Sequence, residues 1–332
     1  MQNDILITDE MFEPATLEER EGFSIMQDPT NFWQDAWKRF KKNKIAMISA
    51  IFIILITLMA IFVPVFSPFS YDNQVKDSEN IAPFVKFAHP LGTDALGRDA
   101  FVRLMIGARI SLAIGILASL MVVLIGVIYG AVSAFFGGWV DNIMMRIVDI
   151  IYSVPSMLVV ILLSVVLRAP LTHLFETTSY LKGFAGVGPG IFSIFLTYSL
   201  LYWVDMARMV RGQILSLKEM EFVNAARALG AKPWRIIIKH LIPNSMGVII
   251  VTATLNIPQA IFNEAFLSFI GLGVSPPLCS LGSLASDALS GIYTYPYRLF
   301  WPSLIISLII LSFNLVGDSL RDALDPRMKS KG

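Results

Sequence analysis

The residues of this sequence whose types could do chemistry are acidic side chains that interrupt long apolar runs. A carboxylate that faced lipid would be costly, so such groups point into a helix bundle or into a water-filled cavity. Pro155 and Pro258 interrupt two of the same runs, which indicates kinked helices. The pattern therefore predicts a bundle that encloses a cavity. The four acidic residues are Asp149, Asp205, Glu264 and Asp318.

Motifs of covalent or metal-assisted catalysis are missing from the sequence. It contains no GxxxxGK[ST] phosphate-binding loop, no HExxH, no GxSxG and no CxxC pair. The single cysteine, Cys279, excludes an intrachain disulfide, and His89, His173 and His240 lie too far apart in sequence to suggest a zinc site. We therefore predict that the chain is not an enzyme and holds no metal or other cofactor. Uphill transport would need an ion gradient or a partner protein.

The elements that must position the acidic residues are membrane-spanning helices. Of 332 residues, 55% are hydrophobic and 15% are charged, whereas soluble domains carry about 25% charged residues. The net charge of +1 gives no support to nucleic-acid binding. Apolar runs of roughly 20 residues can cross roughly 30 Å of hydrocarbon, and six of them predict an all-α integral membrane protein. The runs are Ile45–Phe66, Ile110–Phe136, Ile147–Leu167, Val187–Ala207, Met246–Ile270 and Leu299–Gly317.

Aromatic and basic residues set the predicted orientation. Trp33 and Trp37 precede the basic run Lys38–Lys44, which adjoins the first span and indicates an anchor at the cytoplasmic interface. Most of the 26 lysines and arginines fall on the same side, so both termini are predicted to be cytoplasmic. The predicted division is a cytoplasmic tail with the interfacial segment at 1–44, the first span at 45–66, an extracytoplasmic loop at 67–109, a core of five spans at 110–318 and a cytoplasmic tail at 319–332.

Three local patterns predict packing and ion pairing. Gly126 and Gly130, extended by Ala134, would let a neighbouring helix approach closely. Arg146 and Asp149 are three residues apart, which predicts an ion pair on one face of the third span. A charged group at the carboxyl end is predicted to cap the last helix and pair locally, with a partner contact as the second alternative. That group comprises Asp318, Arg321, Asp322, Asp325 and Arg327.

A polar interruption at Glu219–Pro243 separates the fourth and fifth predicted spans. Apolar residues recur there at helical spacing and predict a short amphipathic helix with one apolar face. That face comprises Met220, Val223, Ala226 and Leu229.

The second half of this stretch carries turn and helix-start signals. Gly230 falls where a left-handed helix C-cap belongs, and Pro233 can occupy the first position of a second helix, which Pro243 would close. The stretch is therefore predicted to be helix, glycine turn, helix. It is either a docking element for a partner protein or a solvated connector between spans.

Several motifs together resemble one protein family. Asn224-Ala225-Ala226, then Gly230, then Leu241-Ile242-Pro243 resembles the EAA loop of the membrane subunits of binding-protein-dependent ABC importers, which docks on the ATPase subunit. Further stretches resemble the second, C-type permease subunit of the dipeptide and oligopeptide branch, and the resemblance covers nearly the whole chain beyond residue 31. It implies the MetI-like fold of type I ABC importer permeases. The stretches are HPLGTDALGRDAFVRLMIGARISL at His89–Leu112, EAFLSFIGLGVSPP at Glu264–Pro277 and FNLVGDSLRDALDPR at Phe313–Arg327.

The resemblance also assigns roles to residues. Within the loop at 216–243, the residues expected to couple to the ATPase are Glu221, Phe222, Val223, Asn224, Ala225, Ala226, Arg227, Leu229, Gly230, Ala231 and Pro243. The candidates for the translocation pathway are Asn256, Asn263 and Glu264, with hydrogen bonding between helices as the alternative. The candidates for an external gate or docking loop are His89, Gly92, Asp94, Gly97, Arg98 and Asp99, with plain folding of that loop as the alternative.

The chain departs from the family pattern at two places. Asn224 stands where the family carries the leading glutamate of the EAA triplet, with Glu221 one helical turn earlier. In the external loop, Cys279-Ser280-Leu281-Gly282 replaces the Pro-x-Trp-Gly that many relatives carry. The first change bears on the contact with the ATPase, and the second on the docking of the binding protein.

The function implied by the resemblance is that of a transmembrane subunit of an ATP-driven importer of short peptides in a bacterial inner or plasma membrane. The expected partners are a homologous permease subunit, two ABC ATPase subunits that bind ATP and magnesium, and an extracytoplasmic binding lipoprotein or periplasmic protein that delivers the peptide. A nickel or metal-chelate importer is the alternative within this family. An ion-gradient carrier or a membrane scaffold is the alternative from another class.

Overall fold

The structure is a computed structural model that describes residues 32–178 and 189–324, and this part of the chain consists of helices and their connections. Residues 1–31 of the predicted tail at 1–44 and the carboxyl end at 325–332, with Asp325 and Arg327, lie outside the described residues. The helices are α1 (Phe32–Lys42), α2 (Lys44–Phe66), α3 (Ala100–Phe136), α4 (Gly138–Ser153), α5 (Ser156–Thr177), α6 (Pro189–Leu201), α7 (Trp203–Leu217), α8 (Glu221–Ala228), α9 (Pro233–Ile236), α10 (Ile242–Asn244), α11 (Met246–Phe269), α12 (Leu281–Ala288) and α13 (Tyr297–Leu324). A π-helical turn, Ile237–Leu241, lies between α9 and α10, and a 3₁₀ turn, Leu289–Gly291, follows α12.

Within the described residues, six helical segments are long and apolar enough to cross a membrane, which confirms the predicted number of spans. They are α2, α3, α5, α6 together with α7, α11 and α13. Helix α3 begins at Ala100, ten residues before the predicted second span, and its 37 residues exceed what a bilayer requires. Its first turns pack against α12, and its last turns pack against the 216–243 loop.

The prediction of the third span was wrong in its position. The chain breaks between α4 and α5, and Val154 is extended, with φ of −92° and ψ of 134°. Pro155 causes the break, because it has no N–H to donate and it disfavours helical backbone at the residue before it. The span is α5, and helix α4 contains residues that the prediction divided between the third span and the segment before it. Pro258, in contrast, lies inside the continuous helix α11.

Close packing of α3 against α7 fulfils the prediction made from the two spaced glycines. A Cβ atom on Gly126 would lie 2.6 Å from Cβ of Met206, and one on Gly130 would lie 2.3 Å from the carbonyl oxygen of Ala207. Each distance is shorter than any real side-chain contact. The glycines therefore allow a backbone approach that no other residue type permits.

The ion pair predicted between Arg146 and Asp149 is replaced by one across two helices. Asp149 of α4 accepts a hydrogen bond from Arg208 of α7 at 2.7 Å, and the guanidinium of Arg208 also lies over the ring of Tyr152. The two helices run side by side, so a partner on the neighbouring helix is available in addition to residues on the same helix.

Helix α1, the end of α13 and the 216–243 loop lie on one face of the bundle. In α1, Ala36 packs against Val251 near the start of α11 and Leu324 at the end of α13, while Phe40 packs against Ala323. The helix keeps Trp33 and Trp37 exposed, as an interfacial segment requires. The residues 67–99, helix α12 and the start of α13 form the opposite face, where Tyr297 donates a hydrogen bond to the carbonyl of Ile81 at 3.1 Å.

Candidate functional site

The 216–243 loop folds as the predicted helix, glycine turn and helix. Gly230 adopts a left-handed conformation, with φ of +75°, directly after α8. Its N–H donates to the carbonyl of Arg227 at 2.9 Å, and the N–H of Ala231 donates to the carbonyl of Ala226 at 3.0 Å. These two bonds form a Schellman cap, which satisfies carbonyls left free at the helix end. Pro233 then begins α9, as predicted.

One side of the loop is anchored in the core of the bundle. Val223 of α8 is fully buried and belongs to a cluster with Ile236, Ile237 and Leu241 from the second half of the loop. The cluster continues into α7 and α3 through Met206, Val210, Ile214, Ala131 and Ala134. Helix α8 therefore packs directly on a core that it shares with α3 and α7.

The other side of the loop exposes an apolar surface, and this corrects the predicted amphipathic face. Val223 and Ala226 point inward, but Met220 is half exposed and Leu229 is 88% exposed. The helix has only eight residues, so both of its ends project beyond the face that the core covers. We name the outward apolar residues the docking patch, and they are Met220, Phe222, Leu229, Trp234 and Ile238.

The polar residues of α8 also face outward. Asn224, in the position of the family glutamate, accepts a hydrogen bond from Arg227 at 3.4 Å. The guanidinium of Arg227 lies 5.6 Å from the ring centre of Phe135, at the end of α3. Glu221 and Ala225 are exposed as well. Arg227 therefore links the loop to α3 through an aromatic contact, for which the sequence gives no local signal.

Pro243 does not close the second helix as predicted. Beyond α9 the chain widens into the π-helical turn and continues as α10, whose first turn contains Pro243. A proline cannot donate to the carbonyl four residues earlier, and a wider turn just before it accommodates that loss. The loop consequently joins α11 through a nearly continuous helical path.

An ion pair between Asp141 and Arg211, which the sequence did not predict, lies where the 216–243 loop begins. Asp141 of α4 accepts hydrogen bonds from Nε of Arg211 of α7 at 2.6 Å and from the hydroxyl of Ser133 of α3. Lys218 donates to the carbonyl of Ala134 at 3.1 Å. Three helices are thus tied together where the loop begins. The paired residues are 70 positions apart in sequence, so no spacing rule could reveal them.

The charge pair makes stability depend on pH. The hydrogen bond from Arg211 holds the pKa of Asp141 below its ordinary value, and the Ser133 hydroxyl lowers it further, against the opposing effect of burial. A carboxyl whose pKa is lower in the folded state stabilises the fold above the unfolded pKa of about 3.9 and loses that contribution as pH falls through the folded pKa.

We therefore expect Asp141→Asn to lower the free energy of unfolding by about 2 kcal/mol at pH 7, with a difference that shrinks below about pH 4. Thermal unfolding of the purified protein in detergent from pH 3 to 7 measures this difference. Asp149→Asn, at the more exposed pair, is the control and should cost less. A constant deficit of Asp141→Asn down to pH 3 would contradict the role of the charge.

The three pathway candidates lie in α11 and differ in environment. Glu264 has no exposed surface and accepts hydrogen bonds from Ser111 of α3 and Ser268, both at 2.6 Å. Asn263 donates to the hydroxyl of Tyr202 at 3.1 Å. Nδ2 of Asn256 is buried and finds no acceptor in the described part of the chain. These contacts favour hydrogen bonding between helices for Glu264 and Asn263, which was the alternative to a place in the pathway.

Replacing Glu264 with alanine is expected to destabilise the subunit. The change leaves the hydroxyls of Ser111 and Ser268 without their acceptor and opens a cavity, at a cost of about 2–4 kcal/mol. Glu176→Ala, at an exposed position near the end of α5, is the matched control. Equal unfolding temperatures for the Glu264→Ala protein and the unmodified protein would refute this structural role.

The predicted external loop forms a compact element around the start of α3. Nδ1 of His89 lies 2.7 Å from Oδ2 of Asp99, and Oδ1 of Asp99 accepts from the N–H of Val102, which caps the helix. Oδ2 of Asp94 accepts from Nε of Arg98 at 2.6 Å. The structure brings together all four of these predicted polar residues. Their contacts fold the loop, as the alternative interpretation proposed.

Gly92 and Gly97 serve the same fold. Both have positive φ, 79° and 72°, and a Cβ atom on either would lie about 2 Å from a backbone carbonyl oxygen, that of Ile81 or Val75.

Nearby, the buried thiol of Cys279 donates to the carbonyl of Arg103 at 3.4 Å, and burial raises the pKa of this thiol to about 11. This thiol therefore stays protonated at neutral pH.

Comparison with known protein families gives two matches. The family of binding-protein-dependent transport system inner membrane components matches residues 122–330. The N-terminal TM domain of oligopeptide transport permease C matches residues 31–83. Together the two matches include the first span, the end of the second span, the 216–243 loop and the last helix.

Individual proteins are similar over nearly the whole length. The oligopeptide transport system permease protein OppC of Bacillus subtilis is 47% identical over 329 residues, covering 99% of this chain and 100% of the relative. The dipeptide transport system permease protein DppC of the same organism is 44% identical, covering 97% and 94%. The glutathione transport system permease protein GsiD of Pectobacterium atrosepticum is 34% identical, covering 90% and 92%.

A solved structure shares the fold. A chain of the MetNI methionine ABC transporter in an inward facing conformation superposes with a TM-score of 0.51 at 19% identity. The superposition covers 67% of this chain and 96% of the other. It confirms the predicted MetI-like fold of type I importer permeases.

Proposed function

Since the chain belongs to the family of binding-protein-dependent transport system inner membrane components, we propose that it couples ATPase subunits to the uptake of short peptides. The chain is a permease subunit of an oligopeptide or dipeptide ABC transporter, given its identity to such permeases over nearly their whole length. Membership of this family favours a partner-driven permease subunit over the ion-gradient carrier and the scaffold. The transport systems of the named relatives favour peptides over nickel or metal chelates.

The observation that carries the coupling role is the two-sided construction of the 216–243 loop. Its docking patch exposes apolar side chains, while Val223 and its neighbours are buried against α3 and α7. An ATPase subunit that binds the docking patch can therefore move the transmembrane helices. The Gly230 turn fixes the angle between α8 and α9. When the two ATPase subunits move together on binding ATP and Mg²⁺, they pull on α8 and tilt the transmembrane helices. The tilt opens the cavity predicted inside the helix bundle to the outside. ATP hydrolysis takes place in those partners.

We further propose that the loop and both termini are cytoplasmic and that a homologous permease subunit completes the pathway. Contacts of α1 with the ends of α11 and α13 support a common side for the chain ends and the loop, and the basic run beside α2 supports the cytoplasm as that side. Asp205 lies exposed within the apolar segment Gly190–Leu217. A carboxylate is unfavourable against lipid, so a second subunit or an aqueous pathway must cover it.

Reconstitution tests the proposed function directly. The chain would be produced with a related permease, two P-loop ATPase subunits and a peptide-binding protein, and the complex placed in liposomes. We expect ATP-dependent uptake of a labelled short peptide that stops when any one component is left out. Uptake by this chain alone, driven by an ion gradient, would refute the proposal.

Within this test, Leu229→Asp is expected to weaken ATPase association at least about tenfold, because an apolar interface would strip water from the new carboxylate without giving it a partner. The side chain is 88% exposed in the subunit, so folding and membrane insertion should not change. Co-purification and surface plasmon resonance with the ATPase measure the effect. Leu229→Met preserves an apolar side chain and is the control. Unchanged association of Leu229→Asp would remove Leu229 from the proposed interface.

A further inference from the structure

A large cavity opens on the face opposite the 216–243 loop. Its volume is about 940 Å³, within the range of about 300–1,000 Å³ that small-molecule sites occupy. Residues of the 67–99 loop, the first turn of α3, α5, the link from α11 to α12, α12 and the first turn of α13 contribute to the wall. Since the face that carries the 216–243 loop is proposed to be cytoplasmic, this cavity opens to the outside of the cell.

Arginine dominates the charge of the wall. Four arginines line the cavity against two carboxylates, those of Asp72 and Asp287, and the arginines are Arg98, Arg103, Arg168 and Arg298. Two of the four are already neutralised by acidic partners. Arg98 pairs with Asp94 at 2.6 Å, and Arg103, which is 3% exposed, lies 3.4 Å from Asp94 and 3.6 Å from Asp287.

The other two arginines keep their positive charge available. Arg168 donates to the hydroxyl of Ser275, and Arg298 donates to the side-chain oxygen of Asn80 at 3.2 Å. Within 32–178 and 189–324, neither forms an ion pair with a carboxylate. Both are half-buried, so neutral partners hold the guanidinium groups in place while donors remain free toward the cavity.

Hydroxyl groups complete the wall. Ser283 and Ser286 of α12 and Ser290 beyond it line the cavity beside Asp287. The carboxylate of Asp72, in the 67–99 loop, accepts a hydrogen bond from the hydroxyl of Ser70. The cavity therefore combines unpaired cations with neutral donors and acceptors, which is the chemistry that a carboxylate attached to amide groups requires.

We propose that this outer cavity receives the C-terminal carboxylate of the incoming peptide, with Arg168 and Arg298 as its cationic partners. The proposal rests on the peptide-import function and names the group of the substrate that the permease recognises first. A linear peptide carries this carboxylate whatever its sequence. Arginine binds carboxylates through planar, paired hydrogen bonds, so two such residues select the chain end without selecting side chains.

The test uses the complete complex in proteoliposomes and two probes, radiolabelled trialanine and trialanine amide. The variants are Arg168→Gln, Arg298→Gln and the double replacement. The control is Lys86→Gln, since Lys86 is an exposed cation of the 67–99 loop that does not line the cavity. Initial uptake rates are divided by the amount of each peptide bound to the binding protein. We expect the double variant to lose about tenfold on trialanine and nothing on the amide.

Three results would overturn the inference. Equal loss on both probes would show that the arginines serve something other than the carboxylate, and unchanged uptake of trialanine would show that they are dispensable. Weaker binding of the peptide-free binding protein to the double variant would assign the arginines to docking of that protein. The proposed function fails separately, and the inference with it, if the unmodified complex imports neither peptide in the presence of ATP.

Discussion

Replacing Gly130 with alanine is expected to prevent stable packing of α3 against α7. The added Cβ would lie 2.3 Å from the carbonyl oxygen of Ala207 and 3.1 Å from the backbone nitrogen of Arg211. Backbone atoms cannot rotate away as side chains do, so the two helices must separate. We estimate a cost of about 3 kcal/mol, at the upper end of the range for overpacked sites.

The consequence should extend to the 216–243 loop. Arg211 holds Asp141, and the cluster around Val223 includes Ala131 and Ala134 of α3. Separation of α3 from α7 would therefore loosen the base on which the loop is built. Size-exclusion profiles in detergent, unfolding temperature and peptide uptake measure the three expected losses.

Gly212 offers a matched control on α7 itself. A Cβ atom there would meet nothing within 4 Å, and alanine favours a helix over glycine by about 1 kcal/mol. Gly212→Ala should be neutral or stabilising. A Gly130→Ala protein that unfolds at the same temperature as Gly212→Ala would show that the helices do not need this close approach.

The same glycines show which part of the fold a sequence can reveal. Gly126 and Gly130 lie on one helix, so their spacing alone places them on one face, and the apolar runs alone give the number of spans. The position of the third span could not be read this way, because hydropathy is nearly continuous across Val154 and Pro155 while the backbone is not. Local spacing also offered Arg146 as a partner for Asp149, whereas the tertiary structure supplies Arg208.

The candidate site likewise has features that the local sequence predicts and features that depend on tertiary packing. Gly230 and Pro233 encode the turn and the second helix through their backbone preferences, so the sequence was sufficient there. The direction of Leu229 was not, because an eight-residue helix is oriented by what packs on it. Arg227 with Phe135 and Asp141 with Arg211 join residues far apart in sequence. Contacts of this kind exist only once the helices are assembled.

The second large effect is expected at Gly230, where valine should reduce peptide uptake at least about tenfold while membrane insertion stays normal. The backbone at Gly230 has φ of +75°, and a β-branched residue in that conformation costs roughly 1–3 kcal/mol. No atom lies within 4 Å of the position a Cβ would take, so within the subunit the effect is one of backbone conformation. The Schellman cap would open, and α9 would leave α8 at a different angle.

Gly230→Asn separates conformation from contact. Asparagine tolerates the left-handed region, so it should keep the cap, the uptake rate and the association with the ATPase, all of which Gly230→Val should impair. Uptake in proteoliposomes and ATPase co-purification measure both variants. If asparagine were as harmful as valine, the ATPase would require the bare backbone of Gly230 at its surface, and normal uptake with valine would show that the angle between α8 and α9 does not transmit the motion.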